Sequence, residues 1–257
     1  MECLSLAGDI EVGISRQGSG APLLYLHGYE GHPGDASFLA QLARTRDVIA
    51  PEHPGYGSSA SIDRFDDIVD VALHYRKLIQ ATAGGPVDVI GHSLGGMFAA
   101  ELAALSPHLV RKLVLVAPFG LWLEDQQVPD LFAMSPNSLA RLTWANPEGH
   151  AAQAAMTRSA NGSSGAAAII TRTMNLSAAG KFLWPIPDRG TSRRLQYVEA
   201  PALVLTGAAD RLIPPVYGEA WARSIAGARA EVIADAGHFP MLEQPEAFIA
   251  ATERFLG

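Results

Sequence analysis

Short apolar runs alternate with stretches of helical periodicity along most of this chain, and that rhythm constrains its fold more than any other feature. The runs are residues 23–26, 48–50, 87–90, 113–116, 203–205 and 232–234. Most are apolar at consecutive positions, as expected for strands covered on both faces of a parallel sheet. Residues 10–15 alternate and read as an edge strand. Helical candidates lie between the runs, at 65–81, from Ser93 to Pro107 and at 246–256. In the last, Phe248, Ile249, Thr252, Phe255 and Leu256 recur at helical spacing. The alternation predicts an α/β fold with a doubly wound, mostly parallel sheet.

The rhythm fails between residues 119 and 194. That span holds Trp122, Phe132, Trp144, Phe182 and Trp184, with Ala-rich helical pieces and prolines at Pro129, Pro136, Pro147, Pro185 and Pro187. It is too long for a simple loop. It reads as a helical lid inserted over a core formed by residues 1–118 and 195–257. Residues 161–165 are its softest part, a polar, Gly-rich kink.

Composition narrows the function. The 257 residues suffice for one large α/β domain, and 48% hydrophobic content argues against disorder. A net charge of -7 argues against nucleic-acid binding, which needs a basic stripe. Cys3 is the one cysteine, so no intrachain disulfide forms, and it reads as an ordinary residue near a frayed terminus. No basic segment followed by a long apolar stretch opens the chain, and no apolar run reaches membrane-spanning length. A cytoplasmic protein acting on small neutral or apolar molecules is expected, without membrane attachment; a homodimer is allowed for.

The chemistry starts at Gly91-His92-Ser93-Leu94-Gly95-Gly96, placed after one predicted strand and before a helix. That is the context the G-x-S-x-G elbow requires, with glycines where side chains would collide. Ser93 is the candidate nucleophile. A serine hydroxyl needs a base to take its proton, and the base needs a partner that fixes its tautomer. Two loops beyond strand ends supply them: Thr206 through Pro214 carries Asp210, and Asp235 through Pro240 carries His238. The chain order Ser, Asp, His is that of α/β hydrolases. Asp235 is a rival acid, but three residues before His238 it reads as a turn cap. His27-Gly28-Tyr29 follows another strand, which points to the backbone N–H groups of Tyr29 and Leu94 as an oxyanion hole.

Other polar residues take plainer readings. His92 and His27 read as packed, hydrogen-bonded neighbours. His32, Asp35, His53 and Glu52 lack the spacing of a metal site, and no metal or other cofactor is expected. Residues 54–59 are Gly-rich but lack the lysine of a phosphate loop and read as a tight turn.

On these motifs the chain resembles the α/β-hydrolase superfamily, in its lidded esterase, lactonase and C–C hydrolase group. The resemblance runs from about residue 20 to 257. It implies an eight-stranded sheet with the lid after the sixth strand, and it favours Asp210 over Asp235. Ser93 excludes the dehalogenase and epoxide hydrolase branches, which use an Asp nucleophile. His92 and Phe239 stand where C–C hydrolases of ring-fission products usually carry Asn and Trp.

The function expected is hydrolysis of carboxylic esters of small, largely apolar substrates through an acyl-enzyme on Ser93. Trp122, Phe132, Trp144, Trp184 and Phe239, with Phe119, Met134 and Met174, are the candidate pocket residues. If the tryptophans prove to be core, Tyr29, Phe239 and Met241 are the alternative lining. No arginine clamp stands out, though Arg141, Arg158 and Arg172 lie in the lid. The alternatives are a C–C hydrolase or lactonase using the same triad, and a non-catalytic small-molecule receptor on the same fold.

Overall fold

A computed structural model describes residues 1–6, 10–59, 61–159 and 165–257, with the side chains of 156–159 left out. The kink expected at 161–165 therefore lies almost wholly outside the described residues.

Eight strands form one sheet in the order β1-β2-β4-β3-β5-β6-β7-β8. They are β1 (Glu2–Leu6), β2 (Ile10–Gly18), β3 (Ala21–Leu26), β4 (Arg46–Pro51), β5 (Val87–His92), β6 (Val110–Val116), β7 (Ala202–Gly207) and β8 (Arg229–Ile233). The β1–β2 and β2–β4 pairs are antiparallel, and the others are parallel. The helices are α1 (Ser37–Leu42), α2 (Ile68–Thr82), α3 (Leu94–Leu105), α4 (Pro136–Thr143), α5 (His150–Ser159), α6 (Ala166–Leu183), α7 (Thr191–Arg194), α8 (Pro215–Ser224), α9 (Pro240–Glu243) and α10 (Pro245–Leu256).

The apolar runs are explained by two cores. Alternate residues of each central strand point to opposite faces. Leu24, Leu26, Val89, Leu113 and Leu115 pack on one face with α2, α3 and α8, through residues such as Tyr75, Phe98 and Trp221. Leu23, Tyr25, Ile90, Val114 and Val116 pack on the other with α1 and α10, through Phe38 and Phe248. Both faces being covered, both registers of each strand are apolar. The first residue of α2 is set by Asp67, whose carboxylate accepts from Val69 and Asp70 N–H groups.

The two ends of the sheet differ from expectation. Residues 10–15 belong to β2, which has neighbours on both sides; the edge is β1, which contains Cys3. Alternation reports an open face, and a strand with one open face alternates whether or not both its edges are paired. The apolar run at 232–234 predicts a strand buried on both faces. Val232 is instead 54% exposed while Ile233 is buried, so β8 has one open face. Between β6 and β7 the chain runs through α4 to α7, in agreement with the helical pieces expected there. No helix among the described residues is long and apolar enough to cross a membrane.

Chain order reverses direction at β3. It proceeds through β4 to one side and through β5 to the other. A crevice opens beyond the carboxyl ends of the strands at such a point. The loops after β3, β5, β7 and β8 all end there.

Candidate active site

The turn from β5 into α3 is so tight that it dictates its glycines. A Cβ on Gly91 would collide with the Gly95 carbonyl and the Ala99 side chain, and one on Gly95 with the carbonyls of Leu26 and His27. Ser93 takes φ 56° and ψ -116°, a conformation a residue with a Cβ adopts only under strain. Its N–H donates to the Val116 carbonyl at 2.8 Å, and its carbonyl accepts from Phe119 N–H at 3.1 Å. These bonds hold the turn against β6 and the chain that leaves it.

The structure brings Ser93, His238 and Asp210 together. Ser93 Oγ lies 2.9 Å from His238 Nε2, and His238 Nδ1 lies 2.8 Å from Asp210 Oδ2. A carboxylate oxygen only accepts, so Nδ1 carries the proton and Nε2 presents its lone pair to the Ser93 hydroxyl. Asp210 Oδ1 is occupied by the N–H groups of Leu212 and Ile213, each at 2.9 Å. Ser93 and His238 are wholly buried, and Asp210 is 3% exposed. Asp235, the rival acid, sits in its turn at φ 53° and makes no bond to His238.

Several residues that sequence reasoning did not single out hold this chain of bonds. His238 N–H donates to the Thr143 carbonyl at 2.5 Å. Glu243 accepts from Gly237 N–H and Ala145 N–H, both at 2.8 Å, and burial raises its carboxyl above the usual range. Arg211 N–H donates to the Leu142 carbonyl at 2.9 Å. Residues 142–145 thus bond to both the loop of the acid and the loop of the base. Their sequence carries no mark of this, since the partners lie far away along the chain.

The N–H groups of Tyr29 and Leu94 donate to no backbone carbonyl among the described residues. Their loops are joined where Gly95 N–H donates to the His27 carbonyl at 3.0 Å. The Tyr29 carbonyl accepts from Tyr56 Oη at 3.1 Å and the Glu30 carbonyl from Asn175 Nδ2 at 2.7 Å, so the two peptides that follow the Tyr29 N–H are held from outside.

His27, His53 and His92 hold structure. His27 and His53 stack at 3.6 Å. His53 Nε2 donates to the His27 carbonyl at 2.6 Å, and His27 Nε2 accepts from His53 N–H at 3.0 Å. His92 Nε2 donates to the His238 carbonyl at 2.8 Å. Among the described residues no group of three or more His, Cys, Asp and Glu is placed to hold a metal ion. Burial pushes His53 down to about 3 and His74 to about 4. A lowered folded value means the unfolded chain binds the proton first, so stability is lost as pH falls below about 6.5. Between about 6 and 4 each of these two groups should remove about 1.4 kcal/mol per pH unit. Neither ring nitrogen of His74 has a hydrogen-bond partner. His74→Leu should therefore remove its share of the slope in chemical denaturation run at pH 7, 6 and 5.

A cavity of about 320 Å³ is lined by Tyr29, Trp144 and Phe239 together with Leu139, Arg172 and Leu176. Ser93, Asp210 and His238 are not in its wall, and it adjoins the triad through the ring of Tyr29, 6.1 Å from that of His238, and that of Phe239. Trp144 stacks on Phe239 at 4.4 Å, and the Phe239 ring lies 5.3 Å from that of His238. The aromatic residues expected in the pocket therefore divide. Trp144 and Phe239 line this cavity. Phe132 and Trp184 border a separate shallow hollow, and Trp184 is 57% exposed. Trp122 lines neither. The reason is helix phase: α6 turns residues 168, 172, 175 and 176 to the cavity, and Trp184 follows its far end. Met174 is 58% exposed on the outer side of α6, Met134 packs against the sheet core, and Phe119 is buried with its ring 6.1 Å from that of His238.

Comparison with known proteins agrees with this architecture. The pattern of the alpha/beta hydrolase family matches residues 23–251. A pimeloyl-[acyl-carrier protein] methyl ester esterase of Neisseria meningitidis is 29% identical over 227 residues, covering 85% of each chain. An esterase from Exiguobacterium antarcticum superposes with a TM-score of 0.80 at 19% identity, over 98% of each chain. The meta-cleavage product hydrolase of Pseudomonas fluorescens superposes with a TM-score of 0.78 at 19% identity, over 100% of this chain and 97% of that one. At such identities the two structures speak for the fold alone.

Proposed function

The chain belongs to the alpha/beta hydrolase family, and from that membership we propose that it is a serine hydrolase of small carboxylic esters. The observation that carries this reading is the unbroken series Ser93 Oγ, His238 Nε2, His238 Nδ1 and Asp210 Oδ2, at 2.9 and 2.8 Å. In this reading Ser93 Oγ attacks the ester carbonyl while His238 takes its proton. The carbonyl oxygen becomes an oxyanion, and the N–H groups of Tyr29 and Leu94 receive it. The tetrahedral intermediate collapses, and the leaving alcohol departs with the proton from His238. Water then enters, gives a proton to His238 and attacks the acyl carbon, and the acid leaves as Ser93 Oγ regains its hydrogen.

The esterase relative from Neisseria meningitidis supports the choice of bond. The apolar lining of the cavity supports an apolar body for the substrate. The segment between β6 and β7 acts as a lid in this reading, since α4 and α6 together wall the cavity. The test is turnover of nitrophenyl acetate and its longer homologues, with a burst of nitrophenol equal to the enzyme present. Turnover of a ring-fission product with no ester turnover would replace this reading with C–C hydrolysis.

The cavity lining makes a sharper expectation. Trp144→Phe should shift the ratio of rates on short and long acyl esters about tenfold, the worth of a methylene or so of pocket. Trp184→Ala should leave that ratio unchanged. Trp144→Ala removes a buried indole and destabilises by ~3–5 kcal/mol, so the Phe variant, read beside a melting curve, is the informative one. An equal shift for Trp184→Ala would place the acyl group elsewhere.

A further inference from the structure

The first three turns of helix α6 are polarised the wrong way for a surface helix, whereas its second half buries Ala178, Ala179, Phe182 and Leu183 in the usual manner. Its outward side carries Ile169, Ile170 and Met174, which are 68%, 58% and 58% exposed. Its inward side carries Arg172 and Asn175, which line the cavity with Ala168 and Leu176. The usual arrangement puts apolar residues inside and charge outside. Asn175 has a structural use, since its amide holds the Glu30 carbonyl. Arg172 has none of this kind. Its Nη2 is sealed from solvent and meets no acceptor. A guanidinium stays charged, and burying one of its donors unpaired is unfavourable.

Among the described residues the cavity wall contains one carboxylate, Glu30. Its Oε1 lies 3.3 Å from His92 Nδ1, its Oε2 is buried without a hydrogen-bond partner, and it forms no ion pair with Arg172. The rest of the wall is mostly apolar, with Leu139, Ala140, Trp144, Leu176 and Phe239, and it also holds His32, Asn137 and Thr143. A cation left without an ion-pair partner in a largely apolar chamber matches a particular shape of ligand. That ligand has a methylene or aromatic body and a carboxylate at its far end.

We propose that Arg172 is a specificity residue, and that the substrates of this site are esters bearing a carboxylate remote from the scissile bond. The proposal rests on the esterase reading above. The shared chemistry is the anionic end. It reaches the cavity on the acyl part, as in the monomethyl ester of a dicarboxylic acid, or on the alcohol part, as in an acetylated ω-hydroxy acid.

Two substrate series distinguish these. One compares monomethyl esters of four- to ten-carbon dicarboxylic acids with methyl esters of monocarboxylic acids of equal length. The other compares acetates of ω-hydroxy acids with acetates of simple alcohols of equal length. In one series the wild-type protein should prefer the anionic member in kcat/KM by about 10- to 100-fold, the range of one charge-assisted hydrogen bond. Arg172→Gln should bring that ratio close to one, and Arg172→Lys should keep part of it. Calorimetry adds a reading that needs no turnover: suberate should bind the wild-type protein and fail to bind Arg172→Gln. A ratio near one in both series, or one unchanged in Arg172→Gln, overturns the proposal. So does the absence of suberate binding by a protein that hydrolyses neutral esters. Suberate binding that depends on Arg172, in a protein that hydrolyses no ester, would retain the anion site and refute the esterase reading alone.

Discussion

Ser93→Ala should lower ester turnover by a factor on the order of 10⁶ while the protein remains folded. The size follows from the way the three groups act together: without Oγ there is nothing for His238 to activate and no acyl-enzyme to form. Folding should survive for a backbone reason. The strained φ and ψ at position 93 are felt by any residue with a Cβ, and Ala has the same Cβ as Ser. The packing of β5 against α3 is untouched. The loss of one hydrogen bond to a buried histidine costs at most ~1–3 kcal/mol. A chromogenic ester assay beside a melting curve reads both halves. An activated phosphonate should label the wild-type protein at Ser93 and leave the variant unlabelled. Residual activity within about tenfold of wild type would remove Ser93 from the mechanism, because loss of a nucleophile that works as part of a triad has far larger effects.

Asp210→Asn should lower kcat by roughly 10⁴. The geometry says why an isosteric change does so much. Oδ1 of Asp210 accepts two N–H groups, from Leu212 and Ile213. An asparagine must keep its oxygen there, since an amide NH₂ would face two donors. Its NH₂ is then turned to His238 Nδ1, which can meet it only as an acceptor. The proton moves to Nε2, and the ring presents a donor where Ser93 needs a base. Asp235→Asn should have an effect of less than about threefold, because asparagine tolerates the positive φ of that turn and no bond to His238 is changed. Steady-state kinetics on both variants decide it. If Asp235→Asn were the damaging change, the acid would have been assigned to the wrong loop.

The parts of this site that could be read from the chain are those made by backbone constraints within a few residues. Gly91 and Gly95 bracket Ser93 because the turn admits no side chain, and a spacing of that kind survives in the sequence. Asp210 and His238 could be found because each follows a strand closely, and parallel sheets gather such loops at one edge. The helix start at Ser93 was legible for a similar reason, being bent locally, whereas the helix expected from residue 65 begins at Ile68, after the cap at Asp67. Trp144 and Trp184 could not be told apart. Both are large apolar residues in the same span, and only the rotation of α6 and the stacking on Phe239 separate them. Thr143 and Glu243 left no trace because a backbone carbonyl acts in one case, and in the other a carboxylate meets partners from two distant segments. The edge of the sheet was misassigned because an alternating pattern records which face is dry and is silent about neighbours.

The bonds around residues 142–145 bear on how such a protein can be re-engineered. Exchanging the whole span between β6 and β7 for that of a relative would remove the Thr143 carbonyl from His238 N–H, the Ala145 N–H from Glu243 and the Leu142 carbonyl from Arg211. The far end of the span is riveted as well: Thr191 Oγ1 and Arg194 Nη2 donate to Glu101 of α3 at 2.6 and 2.8 Å. A graft cut at the strand ends would thus arrive with a misaligned base and a loosened nucleophile helix, whatever pocket it carried. Junctions placed after Ala145 and before Thr191 leave those rivets in the host. Within them lies all of α6, including Arg172 and Asn175, so the segment that can be traded freely still takes with it one wall of the chamber.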